Sequence, residues 1–169
     1  MKLRFSLSPM SHLSNLSRME KFENTIAIVT GASAGIGNAI CRRLLAESTT
    51  LTVVGLSRRA TEIDHKQFYS FICDVSDPAQ IETTIETVRK TFPNRKISIL
   101  VNNAGHAKPL PLLDDKELRD DGTLTPDSLT EAAHYFQSML NTNVLGLTLV
   151  TRQVCTLLGI IISVVQAGK

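Results

Sequence analysis

The chain has 169 residues, a net charge of +2, 43% hydrophobic and 20% charged residues. That is room for one domain of ordinary size, and a charge so near balance points to neither a nucleic-acid nor a membrane partner. Its three cysteines, Cys41, Cys73 and Cys155, are far apart and make neither a disulfide framework nor a metal site, which suits a reducing compartment and small buried apolar roles.

In chain order, residues 1–18 carry Lys2, Arg4, Arg18, five serines and no acid. This composition reads as a disordered leader, with Met19 an alternative start, or as a mitochondrial transit segment. Residues 1–23 are therefore set outside the fold. Thr25–Thr30 (TIAIVT) is a short β-branched run ending at glycine, a buried strand. A helix follows, with Ile36, Ile40, Leu44 and Leu45 at helical spacing. Leu51–Ser57 (LTVVGLS) is a second buried strand, and Phe68–Val75 (FYSFICDV) a third, closed by Asp74. In DPAQIETTIETVRKTF, Asp77 caps a helix, Pro78 takes its first position, and Ile81, Ile85 and Val88 line one face. Lys96–Gly105 (KISILVNNAG) is a fourth strand running into a polar turn.

Strands alternating with helices over short connections indicate parallel pairing and right-handed crossovers. The pattern is the first half of a doubly wound α/β domain. Lys108–Asp127 reads as a surface loop with a short helix, and a longer helix, broken once, runs from about Pro126 to Leu157. The apolar run LLGIIISVV is too short to cross a membrane and is interrupted by Gly159 and Ser163.

Gly31, Gly35 and Gly37 fall within seven residues between the first strand and its helix. A glycine turn there lets a pyrophosphate approach the backbone at the positive end of the helix. Their G-x3-G-x-G spacing departs from the commoner G-x-G-x-x-G. An NAD site places Asp or Glu at the end of the second strand. Here Leu56 or Ser57 fills that position and Arg58 and Arg59 follow. Guanidinium groups grip a 2′-phosphate with paired hydrogen bonds, favouring NADP(H); the alternative is two solvated arginines.

TGASAGIG, CDVSD and NNAG, in this order and spacing, resemble the classical short-chain dehydrogenases/reductases. NTNVLGLTLVTRQV resembles that family's central helix, with Asn143 as its asparagine and Gly146 after it. The resemblance covers roughly Asn24–Val154 and is nearest to the farnesol dehydrogenase-like and 17β-hydroxysteroid-type NADP-dependent members. It implies a Rossmann-like doubly wound parallel sheet, incomplete at the C-terminus, with residues 24–158 as the NADP-binding domain. Gly31, Ser33, Gly35, Ile36 and Gly37 would line the pyrophosphate. Arg58 and Arg59 would hold the 2′-phosphate, and Asp74 and Val75 would meet the adenine. Asn103, Ala104 and Gly105 would pass beside the ribose. Asn143 would join the catalytic set, holding a water that relays protons to the active-site lysine. The implied activity is oxidation or reduction of small alcohols and carbonyls, in a cytoplasmic and typically homo-oligomeric enzyme without metal; mitochondrial location is the alternative. Each residue also has a plainer role open to it. Asp74 could cap a turn, Asn102 and Asn103 could satisfy loop backbone, and Asn143 could be a helix-surface amide.

The family's proton donor is a tyrosine with a lysine four residues on, the lysine lowering its pKa. Of the two tyrosines, Tyr69 is followed at that distance by Cys73 and Tyr135 by Met139. Ser163 is the only candidate for the catalytic serine, yet it lies only 20 residues after Asn143. Residues 159–169 are thus either the family's fifth strand or a divergent tail. The readings open on sequence are a truncated, inactive representative of an NADP-dependent oxidoreductase, a non-catalytic nucleotide- or partner-binding isoform, and an unstable splicing or gene-model product.

Overall fold

The computed structural model describes residue 22, residues 24–107, residue 119 and residues 121–155. The leader other than Phe22, most of the 108–127 loop, Ser163 and the whole of 159–169 lie outside the described residues.

Four strands, β1 (Ile26–Thr30), β2 (Thr52–Ser57), β3 (Phe68–Ile72) and β4 (Ile97–Val101), form one parallel sheet in the order β3-β2-β1-β4. β1 and β2 are buried at every position, as strands covered on both faces must be. β3 is different. It forms one edge of the described sheet, with Tyr69 and Ile72 exposed. Its apolar run reads as a buried strand, but a strand with a neighbour on only one side hides less of each side chain.

Helix α1 (Gly35–Glu47) connects β1 to β2 and covers one face. There Cys41 and Leu45 pack on Ala27, Val29, Leu51, Val53 and Val101, with Phe22 and Ile99 partly covered beside them. Cys41 is the fully buried apolar group expected of it, and burial pushes its thiol up to about 11. The buried stripe of α1 runs through Gly37, Cys41 and Leu45. Ile36 does not join it; it is half exposed, because it sits in the turn that opens onto the cleft described below.

Helices α2 (Pro78–Thr91) and α4 (Leu147–Cys155) cover the other face. Ile81, Ile85 and Val88 of α2 meet Val150 and Val154 of α4 over Ile28, Val54, Leu56 and Leu100. Asp77 caps α2 by accepting hydrogen bonds from the Ala79 and Gln80 backbone N–H groups, at 2.9 and 3.2 Å. Those bonds, led by one from the Gln80 side chain, hold its carboxyl below the ordinary range.

The long C-terminal helix breaks once, as its pattern implies. α3 (Pro126–Leu140) passes into a π-helical turn at Asn141–Gly146 and then into α4. Gly146 is buried where the row meets the sheet. A Cβ there would collide with the Val75 carbonyl oxygen, so only glycine lets the helix approach the end of β3 this closely. Among the described residues, no helix is long and apolar enough to cross a membrane.

Candidate functional site at the carboxyl ends of the strands

β1 sends its crossover to β2 on one side while β4 pairs on its other side, so the strand order reverses at β1. In open α/β sheets a crevice forms at this reversal, outside the carboxyl ends of the strands. The crevice here has a volume of about 840 Å³. It runs over all four strand ends: Gly31 and Ser33–Ile36 after β1, Leu56–Arg59 at the end of β2, Cys73–Val75 after β3, and Asn102–Ala107 after β4. Thr142, Asn143 and Leu147 close it from the helical row.

Twelve of the fourteen residues singled out from sequence line this one cleft: Gly31, Ser33, Gly35, Ile36, Arg58, Arg59, Asp74, Val75, Asn103, Ala104, Gly105 and Asn143. Ser163 lies outside the described residues. Gly37 is buried beneath the turn rather than lining the cleft. A Cβ on it would collide with the Gly31 carbonyl oxygen and come within 2.5 Å of the Asn103 amide nitrogen. Its lack of a side chain serves the packing of helix on turn.

The glycine turn is held from below and left open above. Gly31 has φ +70° and donates to the Leu56 carbonyl at 2.8 Å. The Asn103 amide donates to the Thr30 carbonyl at 3.0 Å and the Gly31 carbonyl at 3.4 Å. Thr30 Oγ1 accepts the backbone N–H groups of Asn103 and Ala104, at 3.0 and 2.9 Å. The Asn38 amide donates to the Ala32 carbonyl at 3.1 Å, closing the turn from the helix side. On the open side, Gly35 has φ +55°, and among the described residues nothing beyond its chain neighbours and its own helix backbone lies within 4 Å of where its Cβ would stand. Ala34 precedes α1 without a side-chain cap, and Ala34, Gly35 and Ile36 line the cleft, so the uncapped start of α1 opens onto it. These are the donors and the space that a phosphate group requires.

At the β2–β3 end, Arg58 and Arg59 are exposed, and neither has an ion-pair partner among the described residues. Ser57 is turned inward, donating to the Arg59 carbonyl at 2.7 Å. Asp74 accepts both the N–H and the hydroxyl of Ser76, at 2.9 and 2.7 Å, so its turn-capping role is real and coexists with its place in the cleft. Burial raises the Cys73 thiol above its ordinary range, so it meets the cleft as a neutral group.

At the β4 end the polar groups mostly hold one another. The two ends of the Asn143 amide clasp the backbone of His106: Oδ1 accepts its N–H and Nδ2 donates to its carbonyl, both at 2.9 Å. Asn143 sits in the π-helical turn, which carries its side chain onto the loop after β4. It is thus a brace between helix and loop, not a helix-surface amide. Asn102 donates to Thr151 Oγ1 of α4 at 2.8 Å, tying strand end to helix side chain. His106 Nε2 lies 3.3 Å from Ser138 Oγ of α3.

A short chain dehydrogenase family model matches residues 25–165. The chain belongs to the short-chain dehydrogenases. A farnesol dehydrogenase from Aedes aegypti is 30% identical over 145 residues, 80% of this chain and 51% of that protein. An NADPH-dependent 3-dehydrocapnine reductase from Ornithobacterium rhinotracheale is 35% identical over 101 residues, 55% of this chain and 35% of that protein. Among solved structures, a C-terminal deletion mutant of Thermoplasma acidophilum aldohexose dehydrogenase superposes with a TM-score of 0.60 at 24% identity, over 87% of this chain and 50% of that one. It shares the Rossmann-like fold. The chain spans about half or less of the length of these relatives.

Four residues that build the site went unread in the sequence. Thr30 passes for a strand residue, although it is the last residue before the glycines and is almost fully buried. Asn38, in the first turn after the glycines, carries the signal of a polar group where a turn needs closing. His106 and Thr142 flank recognised motifs, NNAG and the central asparagine, yet the partners of His106 come from elements distant in sequence and Thr142 shows itself only by lining the cleft.

Proposed function

We propose that the cleft binds NADP(H) in preference to NAD(H), in an oxidoreductase frame for small alcohols and carbonyl compounds. The observation that carries this reading is the pair of guanidinium groups, Arg58 and Arg59, that line the cleft at the end of β2 without an ion-pair partner among the described residues. An acidic residue there would hold the ribose hydroxyls of NAD; arginines suit a 2′-phosphate. In this reading Gly31, Ser33, Gly35 and Ile36 border the pyrophosphate, with the uncapped first turn of α1 donating to it. Asp74 and Val75 border the adenine, and Asn103, Ala104 and Gly105 run beside the cofactor's path toward Asn143. The bound nicotinamide supplies or accepts a hydride. Family membership and the NADPH-dependent relative support the assignment.

The 169 residues contain no Tyr-x-x-x-Lys, and this favours a second element of the reading: the chain as given binds nucleotide without reducing carbonyls. General acid catalysis is worth about 10²–10⁴-fold, and no side chain of this sequence stands in that pattern. The test is a calorimetric titration with NADPH and with NADH, followed by an assay on a panel of aldehydes and ketones. NADPH binding more tightly, with no turnover, is expected. Equal affinities contradict the cofactor assignment, and NADPH oxidation that depends on carbonyl substrate contradicts the inactivity. A cytoplasmic location stays part of this proposal.

A further inference from the structure

The polar side chains at the β4 end of the cleft differ in how fully they are engaged. Asn103 gives its amide to the Thr30 and Gly31 carbonyls. Asn102 gives its amide nitrogen to Thr151, while its Oδ1 is buried without a hydrogen-bond partner among the described residues. Asn143 has each end of its amide on the His106 backbone. Two side chains less buried than Asn102 remain. Thr142 Oγ1 makes no hydrogen bond among the described residues, and Thr142 lines the cleft. Among the described residues the His106 imidazole makes one polar contact, the 3.3 Å approach of Nε2 to Ser138 Oγ, long for a hydrogen bond to a hydroxyl. Its ring is further bounded by Tyr135, edge to face with centroids 6.5 Å apart. Ser138 and Thr142 are four residues apart on one helical row, so they share a face.

The backbone of His106 is fixed by the Asn143 clasp at both its N–H and its carbonyl. The imidazole is therefore presented from a rigid base, as a recognition group needs to be. The charged lining residues, Arg58, Arg59 and Asp74, all belong to the β2 and β3 ends. Among the described residues, none lines the β4 end. From the described residues a carboxylate or phosphate bound there would gain no countercharge, and burying it would be costly. An uncharged oxygen needs only a donor and an acceptor, which an imidazole and a hydroxyl supply.

We infer that His106 and Thr142 form the polar contact for a neutral oxygen, hydroxyl or carbonyl, on an otherwise apolar substrate at the β4 end of the cleft. The inference rests on the nucleotide-binding reading above and narrows its substrate class: uncharged alcohols and ketones or aldehydes are accepted and carboxylate-bearing ones refused. The pair sets specificity through substrate contact, and no proton or hydride step is assigned to it.

The test uses the full chain with NADP⁺ at saturation and two probes with the same tail, 1-octanol and octanoate, followed by saturation-transfer NMR. Octanol is expected to bind saturably and octanoate at least tenfold more weakly. His106→Ala and Thr142→Val should each weaken octanol about three- to tenfold. His106→Gln, which keeps a donor and an acceptor on a similar reach, should restore most of the affinity. NADP⁺ affinity, read by calorimetry in the same variants, should stay within about twofold. Octanoate binding as well as octanol, no saturable octanol signal, or octanol affinity unmoved in both variants would each overturn the inference while leaving the nucleotide reading intact. Failure of the wild-type chain to bind NADP⁺ overturns the nucleotide reading, and this inference with it.

Discussion

The two ends of the cleft are built on different principles. At the β2–β3 end, charged groups are left free: Arg58 and Arg59 reach solvent with no acidic partner among the described residues. At the β4 end, neutral groups are braced against one another, with Asn143 holding His106, Asn102 holding Thr151 and Asn103 holding the glycine turn. Free charge costs little at an exposed surface and is available to an anionic ligand at once. Neutral amides gain from being paired, because a buried polar group without a partner costs about 1–3 kcal/mol. One end is suited to capturing charge and the other to fixing geometry.

The glycines that let helices approach the cleft should give the largest effects. Gly37→Val at one end and Gly146→Val at the other both place atoms on a backbone carbonyl, of Gly31 and Val75 respectively. Overpacking costs about 1–3 kcal/mol and more where backbone must move. Loss of a cooperative thermal melt is expected for both. A native-like melt in either would show that the helix can withdraw, and that the close approach at that end is incidental.

Next is the charged end. Arg58→Ala with Arg59→Ala should remove about 1.5–3 kcal/mol of preference for NADPH over NADH, the range for hydrogen bonds to charged groups, with little change in melting temperature, since neither side chain is buried. A stability loss without a change of preference would reverse the comparison. Asn143→Leu should do the opposite. It removes two hydrogen bonds from the His106 backbone and should cost about 1–3 kcal/mol of stability, read in urea, while leaving the preference for the 2′-phosphate as it was.

The smallest effects lie away from both ends. The Cys41 thiol, raised to about 11 by burial, stays protonated at neutral pH, so a thiol reagent should label it only after unfolding; rapid native labelling would contradict the packing of α1. The folded-state carboxyl of Asp77 is depressed by its cap bonds. Its contribution is therefore present above the ordinary carboxylate range and lost as pH falls through the folded value. Asp77→Asn should lower stability at neutral pH and so flatten the acid limb of a stability profile, leaving the value at the lowest pH unchanged.

The charged end was legible in the sequence because its signals are local. Glycines, the strand before them and the two arginines lie in a short stretch, and each carries its own chemical reason. The core of β1, β2 and α2 was legible for the same cause, since periodicity and the Asp77–Pro78 start need no distant partner. β3 was misjudged because alternation and apolar content do not say whether a strand has a neighbour on both sides. The braces of the β4 end were legible only in part. NNAG and Asn143 stood out as motifs, but nothing within either shows that Asn143 clasps His106, 37 residues away. Gly37 was read as a cofactor contact because it shares the glycine pattern; its neighbours show that it makes room for Gly31 and Asn103.

The central claim is that the end of the cleft at β2 and β3 is a site for a 2′-phosphate, independent of the β4 end. It is tested most directly with half-ligands that reach only that end. Adenosine 2′,5′-bisphosphate and adenosine 5′-monophosphate can be titrated calorimetrically into the chain at two salt concentrations. The bisphosphate is expected to bind at least about tenfold more tightly, a difference of about 1.4 kcal/mol, with the margin narrowing as salt screens the exposed arginines. Equal affinities for the two nucleotides, at low salt, would contradict it.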